Sequence, residues 1–506
     1  MTVGTYEYNN RLRLAEMSEA LMVISNYVDP KELERLKNNI RNWNFYSGFH
    51  WEEIEATDRP QITKNYCRPF VDKFVAFEFG KGFTISVPIE EDGDEETPEP
   101  ITEFLNEVWD VHNSRMKLCV ELGQTKAVTG EGWVQVKFEK PEDLNDPFGE
   151  FENGRIRLIN MSPNVVFPTY DPHDKDKLTK LEIVYPIKEQ DKSFILKTPI
   201  IKNSVYKAIW TNEEYRVEIN GEVIEEGANP YGIIPFVKVL NYPLANRHCG
   251  ISDLDDIIPL NVELNLKNSD ISEIIDYHAS PVTVVYGASV GSLERGANKM
   301  WGGLPTDAKI ENLTMNTDLG ASIAYAESTK KAIHEIGNVP VSSLGDTMQI
   351  SNTSGVALQI MNMPLIERTR VKRLCSTESI ILLNKIILLV GIVNGLISKP
   401  SDMKLKDFYN NTVSFPDTLP KDKLIELQQL QQEMQMGIES RKGGMKTLGK
   451  DIKKTMAEID EDLKSNPEFY GQSKEQPQLN SGMTNGETPI EQLRKETTGQ
   501  NGTPKM

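Results

Sequence analysis

The chain has 506 residues, 38% of them hydrophobic, and a mean hydropathy of −0.43, which describes a soluble protein of two or three domains with a sizeable core. Its net charge of −19 makes it a poor general nucleic-acid binder, because affinity for phosphate comes mainly from Lys and Arg. Cys67, Cys119, Cys249 and Cys375 are far apart and form no CxxC pair, which reads as buried thiols in a reducing compartment.

Met1 to Glu55 reads as helical, with Ala15, Leu21, Met22 and Ile24 in one segment. Pro30 restarts a second segment through Leu33, Leu36 and Ile40, which ends in an aromatic patch from Trp43 to Trp51. Phe70, Val71, Phe74, Val75 and Phe77 predict a helix with an apolar face, broken by Gly80 and Gly82, and Phe83 to Val87 alternates as a strand. Gly80-Lys81-Gly82 does not fit a phosphate loop, and helix before strand is the reverse of one, so it reads as a turn. Glu90 to Glu99 is an acidic solvated loop without EF-hand spacing.

Ile101 to Thr129 predicts one helix, with Phe104, Val108, Val111, Leu118 and Leu122 on one face. From Gly132 to Leu240 the period becomes two. Trp133–Phe138, Arg155–Ile159, Leu181–Tyr185, Val205–Trp210 and Tyr215–Ile219 read as antiparallel strands, with a hairpin turn at Asn220-Gly221. Ile233–Leu240 closes this mostly β subdomain. A helix follows from the Gly250–Asn265 stretch to about Tyr277; Ser252 or Asp253 can cap it, and Pro259 marks a kink or a fresh start.

Val282–Tyr286 predicts a strand, the glycine-rich stretch to Met315 a loop, and Leu319–Ile336 a second helix, giving a stalk with a tip. Gly337 to Thr353 reads as a polar loop. Ser354 to Ile397 then predicts one helix roughly 65 Å long, kinked at Pro364. Its second half, Ile380–Ile397, follows the basic cluster Arg368, Arg370, Lys372, Arg373 and resembles a membrane span with Gly391-x-x-x-Gly395. Asn384, Lys385 and Asn394 interrupt the run, no second span or signal peptide accompanies it, and a buried soluble helix is the favoured reading; a membrane anchor at 380–397 is the alternative. Asn411–Phe415 predicts a short strand. Lys421 to about Asn466 predicts a helix interrupted at Gly443-Gly444, and Tyr470 to Met506 a disordered tail.

No H-E-x-x-H, G-x-S-x-G, Walker A or dinucleotide motif is present, and the six histidines are scattered. The sequence therefore points to no enzyme, no cofactor and no metal site, and leans toward structure or assembly. An ATP-hydrolysing enzyme would show as intrinsic ATPase activity of the purified protein, but no phosphate loop supports it.

In four places the chain resembles the portal proteins of tailed bacteriophages, of the SPP1 Gp6-like family. These are FVDKFVAFEFGKGFTI (Phe70–Ile85), IIPFVKVLNY with GISDLDDIIPLNVELN (Ile233–Asn265), NVPVSSLGD with SNTSGVALQIM (Asn338–Met361), and the polar C-terminus after helices. The resemblance implies an α+β, portal-like subunit with long helices, an antiparallel β-rich wing, a small α/β clip and a helical crown. The implied parts are a wing at 1–249, a first stem helix at 250–279, a clip at 280–316 and a second stem helix at 317–337. A tunnel loop at 338–353, the long kinked helix and return to the wing at 354–420, a crown at 421–468 and a tail at 469–506 complete it.

The family's subunits form a ring, usually twelve-membered, at one capsid vertex of the virion. Double-stranded DNA is packaged and later ejected through it. The implied partners are the terminase large subunit, major capsid and scaffolding proteins and a head-tail adaptor, with assembly in the host bacterial cytoplasm and no membrane. By position, Ser342, Ser343, Asp346, Thr347, Gln349, Asn352 and Thr353 face DNA in the tunnel loop, offering hydrogen bonds without positive charge. Arg295, Lys299 and Trp301 are the expected clip contacts with terminase or adaptor.

Overall fold

The computed structural model describes residues 29–51, 60–87, 99–191, 200–279, 282–287, 305–313, 319–345, 359–401, 403–418, 423–448 and 452–465. They divide into two compact units, Met1–Pro420 and Lys421–Met506.

In the first unit, α1 (Pro30–Ser47) and α2 (Cys67–Phe79) carry apolar residues at three- and four-residue spacing. On α2 this buries Phe70, Val71, Phe74, Val75 and Phe79. The chain turns at Gly80–Gly82 into β1 (Thr84–Ser86), which pairs with β12 (Thr412–Ser414) more than three hundred residues away.

The helix expected over Ile101–Thr129 is two helices. α3 (Glu99–Glu107) runs into a π-helical turn at Val108–His112, and α4 (Arg115–Thr129) starts afresh. Asn113 between them is extended. Its amide donates to the carbonyls of Val108 and Ile156 at 2.9 Å, and its oxygen accepts the Leu158 amide at 2.8 Å. The side chain thus completes the edge of a strand, which outweighs continuing the helix. Val111 consequently points to solvent, at 58% exposure, rather than along the buried face.

β2 (Glu131–Glu139), β3 (Arg155–Met161) and β9 (Phe236–Leu240) form a three-stranded antiparallel sheet in the order β3-β2-β9. It is buried on both faces. Val134, Val136 and Leu158 face the helices, while Trp133, Met161 and Phe236 face a second sheet. That sheet is the meander β4 (Val166–Asp171), β5 (Asp174–Asp191), β6 (Ile200–Thr211), β7 (Glu214–Ile219) and β8 (Glu222–Ala228). Two of its strands escape the period-two reading. β4 carries Pro168, tolerated on an edge strand, and β8 is exposed along most of its length.

The long helix α7 (Met363–Val393) spans about 46 Å. Gln359–Met361 is helical, the chain breaks at Asn362, and Pro364 sits in the first turn of the new helix, where it has no amide to lose. The membrane-like half is core. This helix is long and apolar enough to cross a membrane. Yet Ile380, Leu383, Ile386, Ile387, Leu388 and Val390 are at most 3% exposed, in a helix that packs on α2, α3 and the three-stranded sheet.

Asn384 fits this run because Trp109 Nε1 donates to its oxygen at 2.8 Å and its amide donates to Asn411 at 2.9 Å. Gly391 makes room for the Phe104 ring, since a Cβ there would lie 2.9 Å from Phe104 Cζ; the close neighbour is a ring, not a second backbone. Helix α7 ends in a paired closure, Leu396 amide to Gly391 carbonyl at 2.8 Å and Gly395 amide to Ile392 carbonyl at 3.1 Å. The short α8 (Leu405–Phe408) leads back to β12.

The second unit holds α9 (Lys423–Gln435), α10 (Arg441–Thr447) and α11 (Ile452–Ser465). The interruption expected at Gly443-Gly444 falls earlier, at Met436–Glu439, where Gly437 takes φ +73°. Gly443 and Gly444 lie inside α10, and Gly444 lets the Leu430 side chain approach to 3.4 Å of a would-be Cβ.

Candidate functional site

Between β9 and α7 the chain makes an excursion. α5 (Ile257–Ala279) leads out for about 35 Å, the two-stranded hairpin β10 (Val282–Tyr286) and β11 (Lys309–Leu313) forms the tip, and α6 (Leu319–Ile336) packs back against α5. Pro259 lies in the first turn of α5, where its missing N–H is not needed. β11 was hidden in the sequence by its glycine-rich surroundings and a single apolar alternation.

The base of this stalk is tied down by a polar ladder. Asn261, Asn265 and Ser269 stand at four-residue spacing on α5 and are almost fully buried. Asn261 accepts the Tyr66 amide at 3.0 Å and donates to the Lys64 carbonyl at 2.8 Å. Asn265 accepts the Lys64 amide at 2.9 Å, and Ser269 accepts that of Ile62 at 3.2 Å. One helix face thereby pairs with the backbone of an extended segment, which answers the requirement that buried amides find partners.

Two neutral histidines support the same base. Asn265 donates to His50 Nδ1 at 2.7 Å, so Nε2 carries the proton and donates to the Phe45 carbonyl at 2.9 Å. His334, in the last turn of α6, donates from Nδ1 to the Val339 carbonyl at 2.8 Å and sits against the Tyr66 and Phe70 rings. Burial pushes both pKa values below the ordinary 6.5. Above that pH folded and unfolded chains are alike neutral here. Below it the unfolded chain takes up protons the folded chain resists, so stability falls as the pH drops through 6.5. Calorimetry is expected to give a lower unfolding midpoint at about pH 5 than at about pH 7.5; an unchanged midpoint contradicts the assignment.

Beside the base lies a chain of buried ions. Asp253, just before α5, accepts Lys372 Nζ on Oδ2 at 2.5 Å and Arg368 Nη2 on Oδ1 at 3.0 Å. Burial alone would raise its pKa, but Lys372 and Arg368 outweigh that and hold it below the usual carboxylate value. One helical turn along α7, Ser376 donates to Glu78 Oε1 at 2.6 Å, and Lys126 reaches the same oxygen at 2.5 Å. Burial depresses the Lys126 ammonium, Glu78 opposes that, and Lys372 adds to it. Lys372, Lys126, Glu78 and Ser376 have no exposed surface.

Sequence reasoning saw Asp253 only as a cap and Lys372 only as a flank of an apolar run. The findable signal was Arg368, Lys372 and Ser376 at four-residue spacing inside a helix otherwise made of core residues. Burial pushes the Cys67 and Cys119 thiols up to about 12, which makes them inert. Among the described residues no group of three or more His, Cys, Asp or Glu is arranged for a metal ion.

Of the expected tunnel-loop residues, Ser342 and Ser343 are described. They lie in a short 3-10 turn, Val341–Leu344, rather than in an open loop, because Val339 is fully buried and Leu344 packs on the stalk-base core. Ser343 donates to the Pro340 carbonyl at 2.7 Å, and the Ser342 hydroxyl is buried without a partner among the described residues. Asp346, Thr347, Gln349, Asn352 and Thr353 lie outside the described residues, as do Arg295, Lys299 and Trp301.

A family model described as phage portal protein, SPP1 Gp6-like, matches residues 14–467 of the 506. A comparison with curated proteins gave no match.

Proposed function

The chain belongs to the SPP1 Gp6-like family of phage portal proteins, and from that premise we propose that it assembles into a ring, twelve-membered as is usual in the family, that forms the DNA channel at one capsid vertex. Double-stranded DNA enters through it during packaging, driven by the terminase large subunit, and leaves through it on ejection. The ring also meets the major capsid and scaffolding proteins and, later, a head-tail adaptor.

The observation that carries this reading is the stalk. Two paired helices bear a two-stranded tip and return to a base locked by the Asn261–Asn265–Ser269 ladder. Within one subunit the stalk leaves large apolar side chains in water: Ile275 on α5, Ile323, Tyr325 and Ile336 on α6, and Tyr286 and Ile310 at the tip. Such exposure suits a subunit that is covered by its neighbours. The residues 250–279 and 317–337 are the stem in this reading, 280–316 the clip and 421–468 the crown. The net charge of −19 per subunit suits a channel wall that repels DNA rather than holding it.

In this reading 338–353 is the loop that meets DNA, and the docked turn Val341–Leu344 is its rigid root. Replacing residues 345–353 with a Gly-Ser linker leaves that root intact. Rings are expected to form normally while DNA packaging into empty capsids falls sharply; normal packaging by this variant would sink the loop's assigned role.

A further inference from the structure

We infer that Lys372 is a positioning residue with two seats: it holds Asp253 at the stalk base in this conformation and transfers to Glu78 on the wing when the stalk shifts. The seats are read from the geometry alone; the portal reading supplies only the event that moves the stalk.

Asp253 is amply supplied with cations. Lys372 takes Oδ2 at 2.5 Å, while Arg368 offers Nε at 3.2 Å and Nη2 at 3.0 Å to Oδ1. If Lys372 leaves, Arg368 stays on the carboxylate, so Asp253 is not left buried and alone. Glu78 is undersupplied. Lys126 and Ser376 both use Oε1, and Oε2 is buried with no partner among the described residues. A buried acceptor left without a donor keeps its full desolvation cost, which makes a second seat for a cation competitive.

The path between the seats is short. Lys372 stands one turn before Ser376 on the same face of α7, and Ser376 already touches Glu78. On the other side, Lys372 Nζ lies 4.5 Å from the centroid of the Phe74 ring. Phe74 is one turn before Glu78 on α2, so the ammonium already rests on the helix that carries its second seat. The flexible four-carbon stem of lysine allows the swing without moving the helix. With Lys372 on Asp253, α7 grips the stalk; with Lys372 on Glu78, α7 grips the wing and the stalk pivots about Arg368.

The test is a pair of high-resolution cryo-electron microscopy maps of the full-length assembly, one DNA-free and one inside a DNA-filled capsid. Lys372 Nζ is expected on Asp253 in one and on Glu78 in the other. Lys372 on Asp253 in both maps overturns the inference, as does a water fixed between Glu78 Oε2 and the likewise unpartnered Arg373 Nε in both. Lys372→Met gives a second readout. Since Arg368 remains on Asp253, rings and their thermal midpoint are expected near those of the unsubstituted protein, while packaged DNA falls about tenfold, within the usual range of coupling between sites. Packaging at the unsubstituted level overturns the inference; if the variant does not assemble, the two maps decide. Should the unsubstituted chain form no ring, the portal reading fails separately, and alternate Lys372 positions in a crystal structure of the subunit still test the two seats.

Discussion

Asp253→Ala is expected to cost about 3–5 kcal/mol of folding stability, because it leaves a fully buried Lys372 without its carboxylate. Arg368 is partly exposed and can turn to water, but Lys372 is fully buried and can leave only for Glu78, whose Oε1 already holds Lys126. The residue also ties the lead-in of α5 to the middle of α7, so its loss loosens the stalk base as well as stranding a charge. Chemical denaturation followed by tryptophan fluorescence measures the change. The double variant Asp253→Leu with Lys372→Met is expected to recover most of the loss, since a buried ion pair replaced by apolar groups of similar size is often neutral. A single-variant loss below about 1 kcal/mol, the level of an exposed pair, would contradict this account.

Trp109→Ala is expected to cost a similar amount, about 3–5 kcal/mol. Its ring is 1% exposed, meets Phe83 edge-on at 5.2 Å, and fills the space between the π-helical turn and α7. It also supplies the hydrogen bond at 2.8 Å that lets Asn384 sit in the apolar half of the long helix. Trp109→Phe separates the two contributions. It keeps most of the ring and removes the donor, so a loss of about 1–3 kcal/mol is expected from the stranded Asn384 oxygen. A Phe variant as unstable as the Ala variant would contradict this partition, since the retained ring would then add nothing and the lost hydrogen bond would carry the whole effect.

Elements governed by their own periodicity were legible in the sequence. The second stalk helix, Leu319–Ile336, and the tip strand Val282–Tyr286 lie where helical spacing and alternation predicted them. The break before the long helix was legible through Pro364, two residues from its position at Asn362. Features set by distant partners were not legible. The helix expected through Ile101–Thr129 is broken because Asn113 pairs with a strand more than forty residues away. β8 has no buried face to print a period on the sequence. The run Ile380–Ile397 looks alike for a membrane and for a core, and only the sheet packed against it separates the two.

The candidate site was half legible. The order helix, hairpin, helix, turn, long helix is carried by motifs and breaks along the chain. The ions at the base are not, because Glu78, Lys126, Asp253 and Lys372 come from four separate stretches and each alone reads as a surface charge.

Electron microscopy of the purified full-length chain, expressed alone and kept free of detergent, tests the central claim most directly. Rings with a central hole viewed end-on, and a stalked outline viewed from the side, are the predicted result, and the end-on views count the subunits. Compact monomers that stay monomeric when scaffolding and capsid proteins are added, or protein that pellets with membranes, would contradict it.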